Sequence, residues 1–272
     1  MLTIKHILFP MDFSDRCCGA IPFVKAMAAR FGAKITLINA LQPFYFTDPS
    51  QMVMINTDQI IDDLRDRLEA ARLENFPDLP VDTFVALGDP AQVILDFARN
   101  NAVGLIMMPT HGYGPFRSLL LGSVTAKVLH DAQCPVWTGA HMEGRPSQDH
   151  VQPRNIMCAV DGTPRDIPLI QRANELCNAT GAQLRLVHVI PSVDDWPEEA
   201  RRRITRLQQE AGVDAPLCVA AGHVDDRVRE EARRHAADLL VIGRGVLQQS
   251  LGRLRTHAHA IIRNAPCPVL SV

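Results

Sequence analysis

A chain of 272 residues is long enough for one large domain or for two small ones, each with its own core. Its 47% hydrophobic and 21% charged residues are ordinary globular composition, and a formal charge of −2 gives no electrostatic case for nucleic acid, the nearest thing to a basic run being Glu198-Glu199-Ala200-Arg201-Arg202-Arg203, a mixed-sign segment that reads as a solvated helix face. No apolar run approaches the roughly 20 residues of a membrane span, residues 1–10 are too short an apolar run for a signal peptide, and seven cysteines without a C-x-x-C pair argue against a disulfide framework or zinc site. A reduced, cytoplasmic compartment is the simplest reading.

Apolar runs at 5–11, 34–40, 81–86, 103–108 and 135–138 predict strands, and amphipathic segments at 14–30, 57–74, 90–100 and 122–131 predict helices. Ser14 reads as the N-cap of the first helix and Gly32 as its stop. Pro22 falls inside that helix, which predicts a kink or a late start. The insert at 43–56, with Pro43-Phe44-Tyr45-Phe46 and Met52-Val53-Met54-Ile55, is unusually apolar for a connection; it either packs under the second helix or forms a lid or interface patch. Strands apolar throughout, such as Leu105-Ile106-Met107-Met108, suit a parallel sheet covered by helices on both faces.

Past residue 138 the pattern begins again. Ile7-Leu8-Phe9-Pro10-Met11-Asp12 is answered by Ile156-Met157-Cys158-Ala159-Val160-Asp161, and Cys134-Pro135-Val136 by Cys267-Pro268-Val269. Asp12 to Gly32 is 20 residues, and so is Asp161 to Gly181, with Thr163 and Pro168 in the places of the first-copy cap and proline. Internal duplication accounts for this. The polar stretch 139–150 separates the copies, setting domains at 1–140 and 153–272 with a linker at 141–152. The expected fold is α/β: two tandem doubly wound, Rossmann-like domains of five parallel strands each.

In doubly wound sheets ligands bind beyond the carboxyl ends of the strands, at the switch point. That rule singles out, in the first copy, the loops at 10–14, 39–42, 88–90 and 109–123. The last runs Pro109-Thr110-His111-Gly112 through to Leu121-Gly122-Ser123, a glycine-bearing loop ending on Gly-Ser at a helix start. Glycines admit a phosphate close to the backbone, and the helix N-terminus and the Ser123 hydroxyl offer donors. Asp12 is placed to accept from a ribose or base, or to cap the helix that follows it. His111, within that loop, is expected to face the candidate site, where it either touches a phosphate or is simply solvated. The cysteines read as small core hydrophobes, and His257 and His259, two apart on a helix, make a poor metal pair. No G-x-S-x-G, H-E-x-x-H or P-loop motif occurs.

On these residues nearly the whole chain resembles two universal stress protein domains, a family related in fold to the adenine nucleotide alpha hydrolases. Its ATP-binding members carry G-x-x-G-x9-G-[ST] after strand four and an aspartate after strand one. The first copy matches at Asp12, Gly112, Gly122 and Ser123, and departs at Pro109, which has no N–H to give. The resemblance adds Pro10 and Ala40 to that site. In the second copy it points to Asp161, Val189, Gly243, Gly245, Arg255 and Thr256; there the first two glycines stand one residue too close and Arg255 replaces the third. Arg255 either blocks a phosphate or pairs with it.

The resemblance implies a cytosolic stress-response module that binds ATP, with or without Mg2+, in its first copy, with weak hydrolysis at most. It also implies self-association through strand five, met internally by pairing Val136–Thr138 with Val269–Ser271 or externally in a homodimer. The alternatives are a nucleotide-free scaffold for a partner protein and, from a third class, a slow ATP hydrolase. Neither nucleic acid nor membrane is an expected partner.

Overall fold

The computed structural model describes residues 3–42, 57–110, 121–139, 151–192, 196–244 and 255–272. The insert 43–56 and most of the linker lie outside them. The first half runs β1 (His6–Pro10), α1 (Asp15–Phe31), β2 (Lys34–Leu41), α2 (Thr57–Asn75), β3 (Val81–Leu87), α3 (Pro90–Asn100), β4 (Leu105–Pro109), α4 (Ser123–Asp131) and β5 (Val136–Gly139). The second repeats the order: β6 (Asn155–Ala159), α5 (Asp166–Thr180), β7 (Gln183–Ile190), α6 (Pro197–Ala211), β8 (Leu217–Ala221), α7 (Val224–Arg234), β9 (Leu239–Ile242), α8 (Arg255–Asn264) and β10 (Val269–Ser271).

One ten-stranded sheet results, in the order β3-β2-β1-β4-β5-β10-β9-β6-β7-β8. Within each half neighbouring strands are parallel, as all-apolar strands require when both faces are covered. The halves join where β5 and β10 pair antiparallel, Val269 opposite Thr138 and Ser271 opposite Val136. That is the internal pairing expected of a tandem chain.

Alternation along the strands sorts the core into two layers. Ile7, Phe9, Leu105 and Met107 pack on one face with Val24 of α1, Leu68 of α2, Ile170 of α5 and Ile204 of α6. Leu8, Ile106 and Met108 pack on the other with Ile94 of α3, Val128 of α4, Val228 of α7 and Ile262 of α8. Both layers run through the junction; on one face Phe23 of α1 lies against Trp137 of β5 with ring centroids 5.2 Å apart.

The helix ends follow local chemistry. Ser14 caps α1 by accepting from the Cys17 amide, and Gly32 and Gly181 end α1 and α5 in the left-handed region, at φ 60° and 75°. Thr163 does not cap α5. Its N-cap is Arg165, and the buried Asp166, inside the first turn, takes over the loop amides. A carboxylate reaches several amides at once, where the Thr163 hydroxyl reaches one. The two helix prolines part company: α1 runs on through Pro22, whereas α5 starts late enough to put Pro168 in its first turn, where a missing N–H costs no helical bond.

Candidate functional site

At the switch point of the first half, β1 stands between β2 and β4. Pro10 ends β1, and the ladder continues one step further through Met11 N–H to Ile38 O, 2.8 Å. The chain then turns on side chains. Asp12 Oδ1 accepts from the Ser14 amide (3.0 Å) and the Ser14 hydroxyl (2.6 Å), and Ser14 Oγ accepts in turn from the Cys17 amide, 3.2 Å. Asp12 thus organises the helix start at the mouth of the site, through one carboxylate oxygen. Asn39 Nδ2 donates to Met11 O at 2.7 Å, tying β2 to the same loop. Ala40, half-buried, lies two residues past the point where β2 pairs with Pro10. Phe13, between Asp12 and Ser14, is held at φ 62°, a strained place for a bulky residue, and its ring carries the Arg67 guanidinium 4.0 Å from the centroid.

The second wall comes from β4 and α4. Pro109 is the last residue of β4, opposite Gly139, and its carbonyl accepts from Thr125 Oγ1 at 3.2 Å. Thr110 O accepts from Gly122 N–H, 3.0 Å, which closes the base of the loop. Gly122 is the N-cap of α4 at φ −58° and ψ 141°, a conformation open to any residue, so a glycine serves there only by the room it leaves. It provides no side-chain cap, whereas Ser14 caps α1 and Asp89 caps α3. Ser123, exposed, opens the helix. His111 and Gly112 lie outside the described residues.

Two thiols near these loops, Cys17 and Cys158, are buried and not poised for chemistry. Burial, reinforced by the Asp12 carboxylate, raises the Cys17 thiol far above its ordinary range, and burial with Asp166 beside it does the same to Cys158.

The second half departs from this plan. Asp161 is exposed, and its amide with those of Gly162 and Thr163 turns onto Asp166, at 3.3, 2.7 and 2.8 Å. His188 takes the part of Asn39: its Nδ1 lies 2.8 Å from Val160 O, which can only accept, so Nδ1 carries the proton. Val189 follows it on β7. Gly243 packs on Leu169, whose Cδ2 would stand 3.4 Å from an added Cβ. Gly245 lies outside the described residues, as do the side chains of Arg255 and Thr256, the first two residues of α8. Arg244 turns away from its own loop. Its Nη1 and Nη2 donate to Ala132 O (2.7 Å) and Cys134 O (2.6 Å) in the first half.

The structure therefore brings Pro10, Asp12, Ala40, Pro109, Gly122 and Ser123 to one end of three adjacent strands, and Asp161, Val189 and Gly243 to the matching end of the other half. Of the residues that tie these loops, His188, Asp166 and Arg244 were not singled out from sequence, and Asn39 entered only as the start of the 39–42 loop. A signal existed for two of them: the 149-residue offset that aligns Asp12 with Asp161 also sets Asn39 against His188, a polar residue near the end of an apolar strand in both copies.

A model of the universal stress protein family matches residues 3–138 and 193–272. The chain belongs to that family. Its two universal stress protein domains are not matched alike, since 139–192, with the second switch-point loop, falls between the segments. A universal stress protein of Thermus aquaticus is 33% identical over 139 residues, 48% of this chain and 96% of that one. A universal stress protein of Mycolicibacterium smegmatis is 24% identical over 202 residues, covering 72% of this chain and 67% of that protein. In fold the whole chain superposes on a universal stress protein from Archaeoglobus fulgidus with TM-score 0.76 at 18% identity, covering 100% of this chain and 97% of the other. Among the described residues no helix is long and apolar enough to cross a membrane.

Proposed function

We propose that this is a cytoplasmic stress-response module that holds an adenine nucleotide, ATP by preference, at the switch point of its first domain. The domains are taken as 1–140 and 153–272. The observation that carries the reading is the meeting of the Asp12 loop with the Gly122-Ser123 start of α4 at the ends of paired strands β1 and β4. The residues fit such a ligand. Among the described residues helix α4, unlike α1 and α3, begins without a side-chain cap, so an anion takes the place of one on its first-turn amides. Asp12, with one oxygen spent on Ser14, faces a ribose with the other. Magnesium enters as the ATP complex, held by phosphates and water.

Bound nucleotide acts by stabilising the state that holds it, with weak hydrolysis at most, and self-association beyond the internal β5–β10 pair builds a homodimer. Mass spectrometry of the purified protein for carried-over nucleotide, with calorimetry against ATP and magnesium, tests this. Neither nucleotide nor heat across millimolar ATP would replace it with the scaffold reading. A multi-turnover rate on the order of 1 s⁻¹ or more would replace it with the hydrolase. Because the backbone at Gly122 suits any residue, Gly122→Val should fold and lose at least tenfold in affinity; undiminished affinity would locate the nucleotide elsewhere.

A further inference from the structure

The residue behind the strand-one aspartate differs between the halves: Phe13 in the first, Gly162 in the second. In both, an arginine of the next helix but one reaches it, Arg67 from α2 and Arg203 from α6. Against Phe13 the guanidinium rests on the ring face, 4.0 Å from the centroid. Against Gly162 it lies on the bare backbone. A Cβ there would stand 2.8 Å from Arg203 Nε and 2.9 Å from Nη2, so only glycine, which also meets the φ of +81°, admits the arginine. Arg203 Nη2 then reaches His188 Nε2 on β7, 3.4 Å away, the nitrogen left as acceptor by the Val160 bond. The guanidinium so spans from the β6–α5 loop to the end of β7. Those two walls carry Asp161 and Val189, the counterparts of Asp12 and Ala40. The loop amides behind it are already taken by Asp166.

We infer that Arg203 closes the nucleoside crevice of the second domain, and that Phe13 keeps Arg67 out of the first, so that the residue after the aspartate decides which domain is open. This rests on the nucleotide reading only for the identity of the ligand in the first domain. Phosphate or carboxylate would convert the same arginine from a cover into a partner; an uncharged nucleoside offers it no ion pair, so adenosine is the discriminating probe.

The full chain is titrated with adenosine and its backbone amides are followed by NMR. In the wild type, Phe13 and Asn39 shift while Gly162 and Val189 stay still. In Arg203→Ala, Gly162 and Val189 shift as well, with at least tenfold tighter apparent binding at that domain. Phe13→Gly, which adopts the native φ freely, weakens first-domain binding at least tenfold, and Phe13→Gly with Arg67→Ala restores it. Shifts at Gly162 in the wild type, or none there in Arg203→Ala, overturn the inference even where the first domain binds. Shifts at Gly162 in Arg203→Ala with a silent first domain overturn the nucleotide reading and the part given to Phe13, and leave Arg203 as the cover of the second crevice.

Discussion

Arg244→Met should loosen the joint between the domains, and its cost can be worked from the bonds lost. The antiparallel seam of β5 and β10 is three residue pairs long. Arg244 adds a second tie across it, donating to two main-chain carbonyls at 2.7 and 2.6 Å. Burial of its guanidinium works against the charge and lowers the pKa of the group. Hydrogen bonds from a charged donor are worth about 1.5–3 kcal/mol each, and the regained solvation of the guanidinium offsets part of the pair. The net loss is about 2–4 kcal/mol. For a chain of this size each kcal/mol moves Tm by about 2 °C, so calorimetry should find the variant about 4–8 °C less stable. Methionine keeps the apolar stem, which confines the change to the bonds. Arg244→Lys should recover little, because one ammonium cannot reproduce a fork set on two carbonyls. A variant within about 1 °C of the wild type, or a lysine that restores it, would refute this reasoning.

Ser271, fully buried in the same seam, has a hydroxyl with no hydrogen-bond partner among the described residues, so Ser271→Ala should raise stability by about 1 kcal/mol, read as a higher denaturant midpoint at unchanged slope. Asp166→Ala leaves three loop amides without an acceptor and should cost about 2–4 kcal/mol in the same assay. His6, buried between Asn101 O and Thr36 Oγ1, has its pKa lowered chiefly by desolvation. Below its ordinary value of 6.5 the unfolded chain binds a proton that the folded one refuses. Wild-type stability should therefore be complete above that pH and fall as pH drops toward the folded value. His6→Gln should flatten that limb; an equally steep limb would show that other groups cause it.

Much of the fold was legible because strand and helix periodicities act locally. The first-copy elements lie within about two residues of the segments predicted from apolar pattern, and the Gly32 and Gly181 stops are where the left-handed caps form. The β5–β10 pairing was legible from the family resemblance joined to the duplication, since strands at 135–138 and their repeat had to meet within one chain. What escaped were the polar ties across long separations. Nothing in Gly243-Arg244-Gly245 says that the arginine leaves its own loop to hold Ala132, 112 residues away. Thr163 looked like a cap by position, yet the choice between it and Asp166 depends on which oxygen the folded loop presents. The crevice arginines were hidden for the same reason: Arg203 stood in a run of charged residues that reads as a solvated helix face, and only the bare backbone of Gly162 gives it a place.

The antiparallel seam constrains what the two halves can do together. Since β4 is parallel to β5, β9 to β10, and β5 antiparallel to β10, the carboxyl ends of β1 and β4 face the opposite way from those of β6 and β9. The two switch points therefore lie at opposite ends of the strands and cannot share one small ligand. A single copy would end on β5 with Val136, Trp137 and Thr138 in an open strand; pairing with β10 covers that edge and continues both core layers. Covering the edge demands β10, β9 and the apolar faces of α5 and α8, and none of the switch-point residues Asp161, Gly162 and Val189. The second domain can thus give Gly162 to an arginine and Arg244 to the seam without weakening the sheet. Its departures from the first at the switch point, Gly162 for Phe13, His188 for Asn39 and the shortened Gly243-Arg244-Gly245 segment, leave the strand order and pairing of the half unchanged.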